Sequence, residues 1–181
     1  NPLNIYLYEF LKSYGFLEVN QIIKALNTQS GKQFISKTYQ LNIDREYILI
    51  SKISKENVSY EILENQHKIS TPFTMELSKS TDRKVAKDRV KAKLDFDKLQ
   101  FPLVLRKWKK GDKFMPLGMQ TFKKLSDFFI DKKYSLIAKQ QQWILCSADD
   151  IIWIVGDRID DRFKITTQTK NVYIAEILKD K

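Results

Sequence analysis

The sequence predicts an α+β fold: an N-terminal helical hairpin followed by mostly antiparallel strands, with one basic amphipathic helix packed on them. Three observations carry that prediction. Apolar residues between 3 and 26 recur at the helical period, those of 39–53 and 143–155 form paired strand-like runs, and no strand–helix–strand alternation of the parallel kind crosses the 181 residues. At 43% hydrophobic and 12% aromatic, the chain can bury one large core or two small ones.

Leu3, Tyr6, Leu7, Phe10, Leu11 and Tyr14 lie along one helical stripe, with Pro2 suited to the first turn and Gly15 to the stop. Val19, Ile22, Ile23 and Leu26 repeat the pattern and end near Asn27. Only Lys12 and Lys24 are basic in this hairpin, so its faces are read as packing surfaces. Ser30-Gly31-Lys32 has the look of the end of a phosphate-binding loop, but Leu26 stands where the required glycine would be, which excludes it. From Tyr39 the period changes to two. Tyr39, Leu41 and Ile43 alternate with polar residues, and 47–53 returns after an Asp44-Arg45-Glu46 turn as the second strand of a hairpin. Further strands are expected at 60–63 and 73–77.

The stretch 79–93 holds seven basic and two acidic residues, with only Val85, Ala86, Val90 and Ala92 to bury. An exposed loop and a second basic contact surface both fit it. Strands at 92–94 and 101–105 flank Asp95-Phe96-Asp97-Lys98, and a domain boundary is placed there, giving domains 1–98 and 99–178. Apolar runs at 143–146 and 151–155 make a hairpin buried on both faces, ended by Gly156, and 172–177 is the last strand.

Charge concentrates at 105–133. Arg106, Lys107, Lys109, Lys110, Lys113, Lys123, Lys124, Lys132 and Lys133 face only Asp112, Asp127 and Asp131. These cations are interleaved with Trp108, Phe114, Phe122, Phe128 and Phe129, which marks a folded surface. Gly111 and Gly118 supply two turns, and a helix opening at Gln120 or Thr121 would bury Phe122, Leu125, Phe128 and Phe129 as one stripe. Lys123 and Lys124 would then stand at its first turn, where unpaired N–H groups favour a phosphate. The competing reading is a solvated lysine face over a core helix. The whole chain, with 32 basic and 22 acidic residues and a net charge of +10, suits a polyanionic partner.

Catalytic parts are scarce. His67 is the only histidine and Cys146 the only cysteine, so neither a base–nucleophile pair nor a tetrahedral zinc set can be assembled, and no internal disulfide forms. Asp157, Asp160 and Asp161 could hold magnesium as in a nuclease, but Arg158 and Arg162 among them favour internal ion pairs. With five scattered glycines there is no nucleotide cradle, and no catalysis or cofactor is expected in these residues. No run approaches the roughly 20 apolar residues of a membrane span, so a cytoplasmic protein that does not enter membranes is expected. The first residue is Asn1, not methionine, from which further residues upstream are expected. A dimerisation surface built on Trp108, Trp143 and Trp153, making a homo-oligomer, stays open, as does a stand-alone nucleic-acid-binding module.

Three blocks in order resemble the C-terminal region of bacterial tRNA(Ile)-lysidine synthetases: RKWKKGDKFMPLGM from Arg106 to Met119, KKLSDFFIDKK from Lys123 to Lys133, and IIWIVGDRIDDRFKI from Ile151 to Ile165. YEFLKSYGF and SGKQF are similar to the linker domain before it, so the resemblance covers most of the chain and is weakest from about 55 to 90. It implies a ligase that uses ATP to activate carbon-2 of the wobble cytidine of tRNA(Ile) and then attaches lysine. It also implies that ATP and Mg belong to an N-terminal SGGxDS domain with no match in this sequence. On this resemblance 1–98 is a linker and substrate-binding domain, and 99–178 a C-terminal domain gripping the tRNA body and acceptor stem. Arg106, Lys107, Lys109 and Lys110 match the family's basic turn, and Lys123 and Lys124 its helix start. The chain departs from the family's Arg-Asp-Arg stretch before the last hairpin, having Lys139-Gln140-Gln141-Gln142 there.

Overall fold

A computed structural model describes residues 2–26, 31–44, 47–53, 58–84 and 88–178, and the side chains from residue 4. The fold is α+β, and by contacts it divides into two compact units, Asn1–Glu56 with Lys133–Gln141, and Asn57–Lys132 with Gln142–Lys181. The division expected after residue 98 differs from this one. Residues 59–95 pair with strands near 105 and 175, and such pairing leaves no trace in local sequence.

In the first unit, α1 (Pro2–Lys12) and α2 (Val19–Leu26) precede the antiparallel strands β1 (Gln33–Ile35), β2 (Tyr39–Asp44) and β3 (Tyr47–Lys52). The glycine stop is present: Gly15 has φ +78°, its N–H bonds the carbonyl of Lys12, and the N–H of Phe16 bonds that of Leu11. Leu11, Phe16, Val19, Ile22 and Ala25 close on Leu41 and Ile43, the inward residues of β2. The predicted α1 stripe is only half buried. Leu7, Leu11 and Tyr14 pack inward, whereas Tyr6 and Phe10 are mainly exposed, because the two-helix layer covers the sheet on one side only. The register Asp44↔Tyr47 makes β2 and β3 the expected hairpin. Arg45 and Glu46 of its turn, Asn27 at the expected end of α2, Ser30 of the rejected loop, and Val85 and Ala86 of the basic stretch lie outside the described residues.

The second unit contains β4 (Ser59–Ile62), β5 (Lys68–Ile69), β6 (Met75–Ser80), β7 (Lys91–Asp95), β8 (Leu103–Lys107), β9 (Lys113–Phe114), β10 (Lys123–Lys124), α3 (Leu125–Asp131), β11 (Trp143–Ser147), β12 (Asp150–Ile154), β13 (Arg158–Ile159) and β14 (Val172–Ile177). They form one five-stranded sheet, β13-β12-β11-β8-β4, one four-stranded sheet, β5-β6-β14-β7, and a two-stranded ribbon of β9 and β10. Ile62, Leu103, Leu105, Leu145 and Trp153 from the first sheet share a core with Met75, Leu77, Leu94, Tyr173 and Ala175 from the second. Strands alternate because each sheet has one face in that core. β11 and β12 are instead buried almost throughout, as their unbroken apolar runs require. Trp153 is a core residue, Trp143 packs against Tyr60 and Phe73, and Trp108 against Phe129. Among the described residues, no helix is long and apolar enough to cross a membrane.

Candidate nucleic-acid interface

The basic stretch folds as turn, ribbon and helix, with residues up to Lys132 in the second unit. β8 ends in a turn whose Asp112 N–H bonds the carbonyl of Lys109, with Gly111 at φ +98°, a conformation only glycine takes cheaply. The Asp112 carboxylate accepts both Nη1 and Nη2 of Arg106 at 2.9 Å and the Lys109 N–H at 2.7 Å. This two-pronged pair raises the already high pKa of Arg106 and spends the guanidinium on the turn. The Asp112 carbonyl in turn accepts the N–H of Leu125, tying the turn to the start of α3.

The helix begins later than its periodicity implies. α3 starts at Leu125, and residues 123–124 form β10 against β9, with Lys123 opposite Phe114 and Lys124 opposite Lys113. Leu125, Phe128 and Phe129 are buried as expected, and Phe114 packs edge-on against Phe128 at 5.2 Å. Phe122 is not buried: it is 49% exposed. The expected phosphate site at a helix N-terminus is also withdrawn, since α3 has only 7 residues and carries little dipole.

What replaces it is the ribbon. Lys113 and Lys124 face one another directly across two strands, both exposed, with no acidic partner among the described residues. Directly opposed like charges weaken a β pair, so an anion between them relieves a conflict built into the fold. Lys109 and Lys110 extend this surface on the adjoining turn, exposed and likewise without an ion pair among the described residues. Of the other cations, Lys123, Lys132 and Lys107 are engaged. Lys123 pairs with Asp131, Lys132 lies 3.7 Å from Asp157, and Lys133 falls in the first unit. Lys107 lies 4.2 Å over the Trp143 ring, where burial pulls its pKa down to about 8.

Asp160 and Asp161, considered above as magnesium ligands, hold the second turn. Asp160, fully buried, accepts the N–H of Met115 at 2.8 Å, the N–H and Nε of Arg162 at 2.9 Å each, and Nη2 of Arg162 at 3.0 Å. Asp161 accepts the N–H of Gly118 at 2.8 Å and Nζ of Lys164, and chiefly this lysine bond, with the glycine's after it, lowers the pKa of Asp161. These carboxylates are filled by protein donors. Arg162, which sequence reading placed only among ion pairs, also lies 4.8 Å from the Phe122 ring and 5.4 Å from that of Phe163. Nothing in the local pattern signalled this, because Phe122 and Arg162 are 40 residues apart in the chain.

Residues 1–53 match the family model described as the TilS substrate binding domain, and residues 103–176 that described as the TilS substrate C-terminal domain. The tRNA(Ile)-lysidine synthase of Parabacteroides distasonis is 43% identical over 178 residues, an alignment spanning 95% of this chain and 41% of that protein. The chain belongs to the tRNA(Ile)-lysidine synthase family. It matches both of these domain models in order. The Bacteroides thetaiotaomicron member is 35% identical, with 96% of this chain and 39% of that protein covered, so the chain spans about two fifths of the length of these curated relatives. A crystal structure of a TILS C-terminal domain superposes with a TM-score of 0.59 at 16% identity, covering 68% of this chain and 99% of that one, which establishes the shared fold. The four exposed lysines lie within the segment matched to the C-terminal domain model.

Proposed function

We propose that this chain is the tRNA-gripping part of an enzyme that attaches lysine to carbon-2 of the wobble cytidine of tRNA(Ile). On this reading the bond-making, with its ATP and Mg, belongs to a separate N-terminal domain of a cytoplasmic enzyme. The observation that carries it is the opposed pair Lys113 and Lys124, continued by Lys109 and Lys110 on a turn held rigid by Arg106 and Asp112. An A-form stem hides its bases in a deep, narrow groove, so a protein grips it through phosphates, 2′-hydroxyls and shape. Lysines on a braced turn and ribbon, with no acidic partner among the described residues, suit that contact, and those already paired do not.

The test is a filter-binding titration of the chain with tRNA(Ile) across salt. Each neutralised phosphate releases counterions, so four contacts give a log–log slope of roughly −3. Replacing Lys113 or Lys124 by glutamine lowers that slope by about one each. A flat salt response removes the electrostatic account, and glutamine at Lys123 or Lys132 having the larger effect moves the contact elsewhere.

A further inference from the structure

We propose that Phe122 is a stacking platform for one unpaired nucleobase, placed beside the phosphate-binding lysines so that the surface prefers a junction between RNA helix and single strand. The proposal rests on the RNA-binding reading above and adds to it a base contact. Its starting point is an anomaly of burial. Phe122 fits the period of the buried stripe Leu125, Phe128 and Phe129, yet it stands half out in solvent. The ring is nonetheless tied to a fixed partner. Arg162, 4.8 Å from its centroid, is clamped by buried Asp160 through Nε and Nη2 and reaches Asp150 at 2.7 Å through Nη1. The Lys113 ammonium also lies over this ring, 5.2 Å from its centroid, and as one half of the opposed lysine pair it would leave the ring for the phosphate when a base stacks there. Phe122 directly precedes β10, so ring and lysines share one ribbon.

A pre-positioned aromatic ring within a positive field has the two components that single-stranded nucleic-acid sites combine, a π-face for the base and cations for its phosphate. A base inside a duplex is stacked on its neighbours and offers no free face. The occupant is therefore an unpaired nucleotide next to the gripped stem. A protein partner is disfavoured because two cations, Lys113 and Arg162, lie against the ring, and aromatic hot spots of protein interfaces sit in desolvated, charge-poor centres.

The experiment compares two RNA hairpins of identical stem, one blunt and one carrying a four-nucleotide 3′ overhang with 2-aminopurine at the first unpaired position. The wild-type chain is expected to bind the overhang form roughly tenfold tighter and to quench its fluorescence. Phe122→Leu should bind both hairpins alike, at the blunt affinity and without quenching, and Phe122→Tyr should keep the preference. Equal wild-type affinities, unchanged fluorescence, or a preference retained by Phe122→Leu overturns the stacking role while leaving the phosphate grip intact. Absence of salt-dependent binding to either hairpin overturns both readings. Should Phe122→Leu melt early, the wild-type comparison alone decides.

Discussion

Two stretches of this chain are equally basic on paper, 79–93 and 105–124, and the fold treats them differently. In the first, Lys79 pairs with Glu64, Lys91 with Glu176 and Lys93 with Asp82, while Arg83 donates to the carbonyl of Thr167. In the second, Arg106 is satisfied by Asp112, but Lys113 and Lys124 are set against each other. Charge density in sequence does not separate a solvated face from a contact surface. What separates them among the described residues is that three lysines of the first stretch each meet an acid, whereas Lys113 and Lys124 of the second meet one another.

The sharpest way to break this contrast is by charge reversal. Lys113→Glu with Lys124→Glu should weaken tRNA affinity by about a hundredfold near 0.1 M salt, whereas Lys79→Gln, Lys91→Gln and Lys93→Gln together should change it less than about twofold. Equal losses in one filter-binding series would erase the distinction. Next in size is the clamp. Arg106→Ala leaves the nearly buried Asp112 carboxylate without its charge partner and should cost about 2 kcal/mol in a urea melt. A variant that keeps its stability but loses RNA would make Arg106 a contact after all.

Lys107 gives a pH signature. Its folded pKa of about 8 lies below the ordinary 10.5 because burial penalises the charged form. Between these values the unfolded chain binds the extra proton, so this group makes stability rise with pH across that window. Lys107→Met should flatten the rise in denaturation midpoints measured from pH 8 to 10.5, and an unaltered profile would show that Lys107 is not responsible. The smallest effect sharpens the contrast most. Lys124→Thr removes the like-charge opposition and should stabilise the unbound protein by about 0.3 kcal/mol at low salt, with added phosphate erasing the difference. A loss of stability would mean that the lysine pair is not in conflict.

Much of this was legible beforehand. The hairpins of β2 with β3 and β11 with β12 follow from alternation or unbroken apolar runs, and the turns at Gly111 and Gly118, both with positive φ, from glycine. The ribbon was not. Each of its strands has two residues, too few for any period, and Phe122 matches the helical stripe by arithmetic alone. What unmade that match is tertiary: Asp160 captures Met115 from 45 residues away and Arg162 engages the ring. The unit boundary was hidden for the same reason, since the partners that place 59–95 are strands far downstream.

The central position of β14 bears on how the molecule is made. It lies between β6 and β7, so two strands already synthesised, which never bond each other, are joined only when a third, about 80 residues later, slots between them. During translation the first unit's helices and hairpin can settle early, while half of the second unit's apolar interior waits for the ribosome to reach Ile177. A nascent chain stalled before Val172 should therefore be the species that chaperones hold and proteases clear.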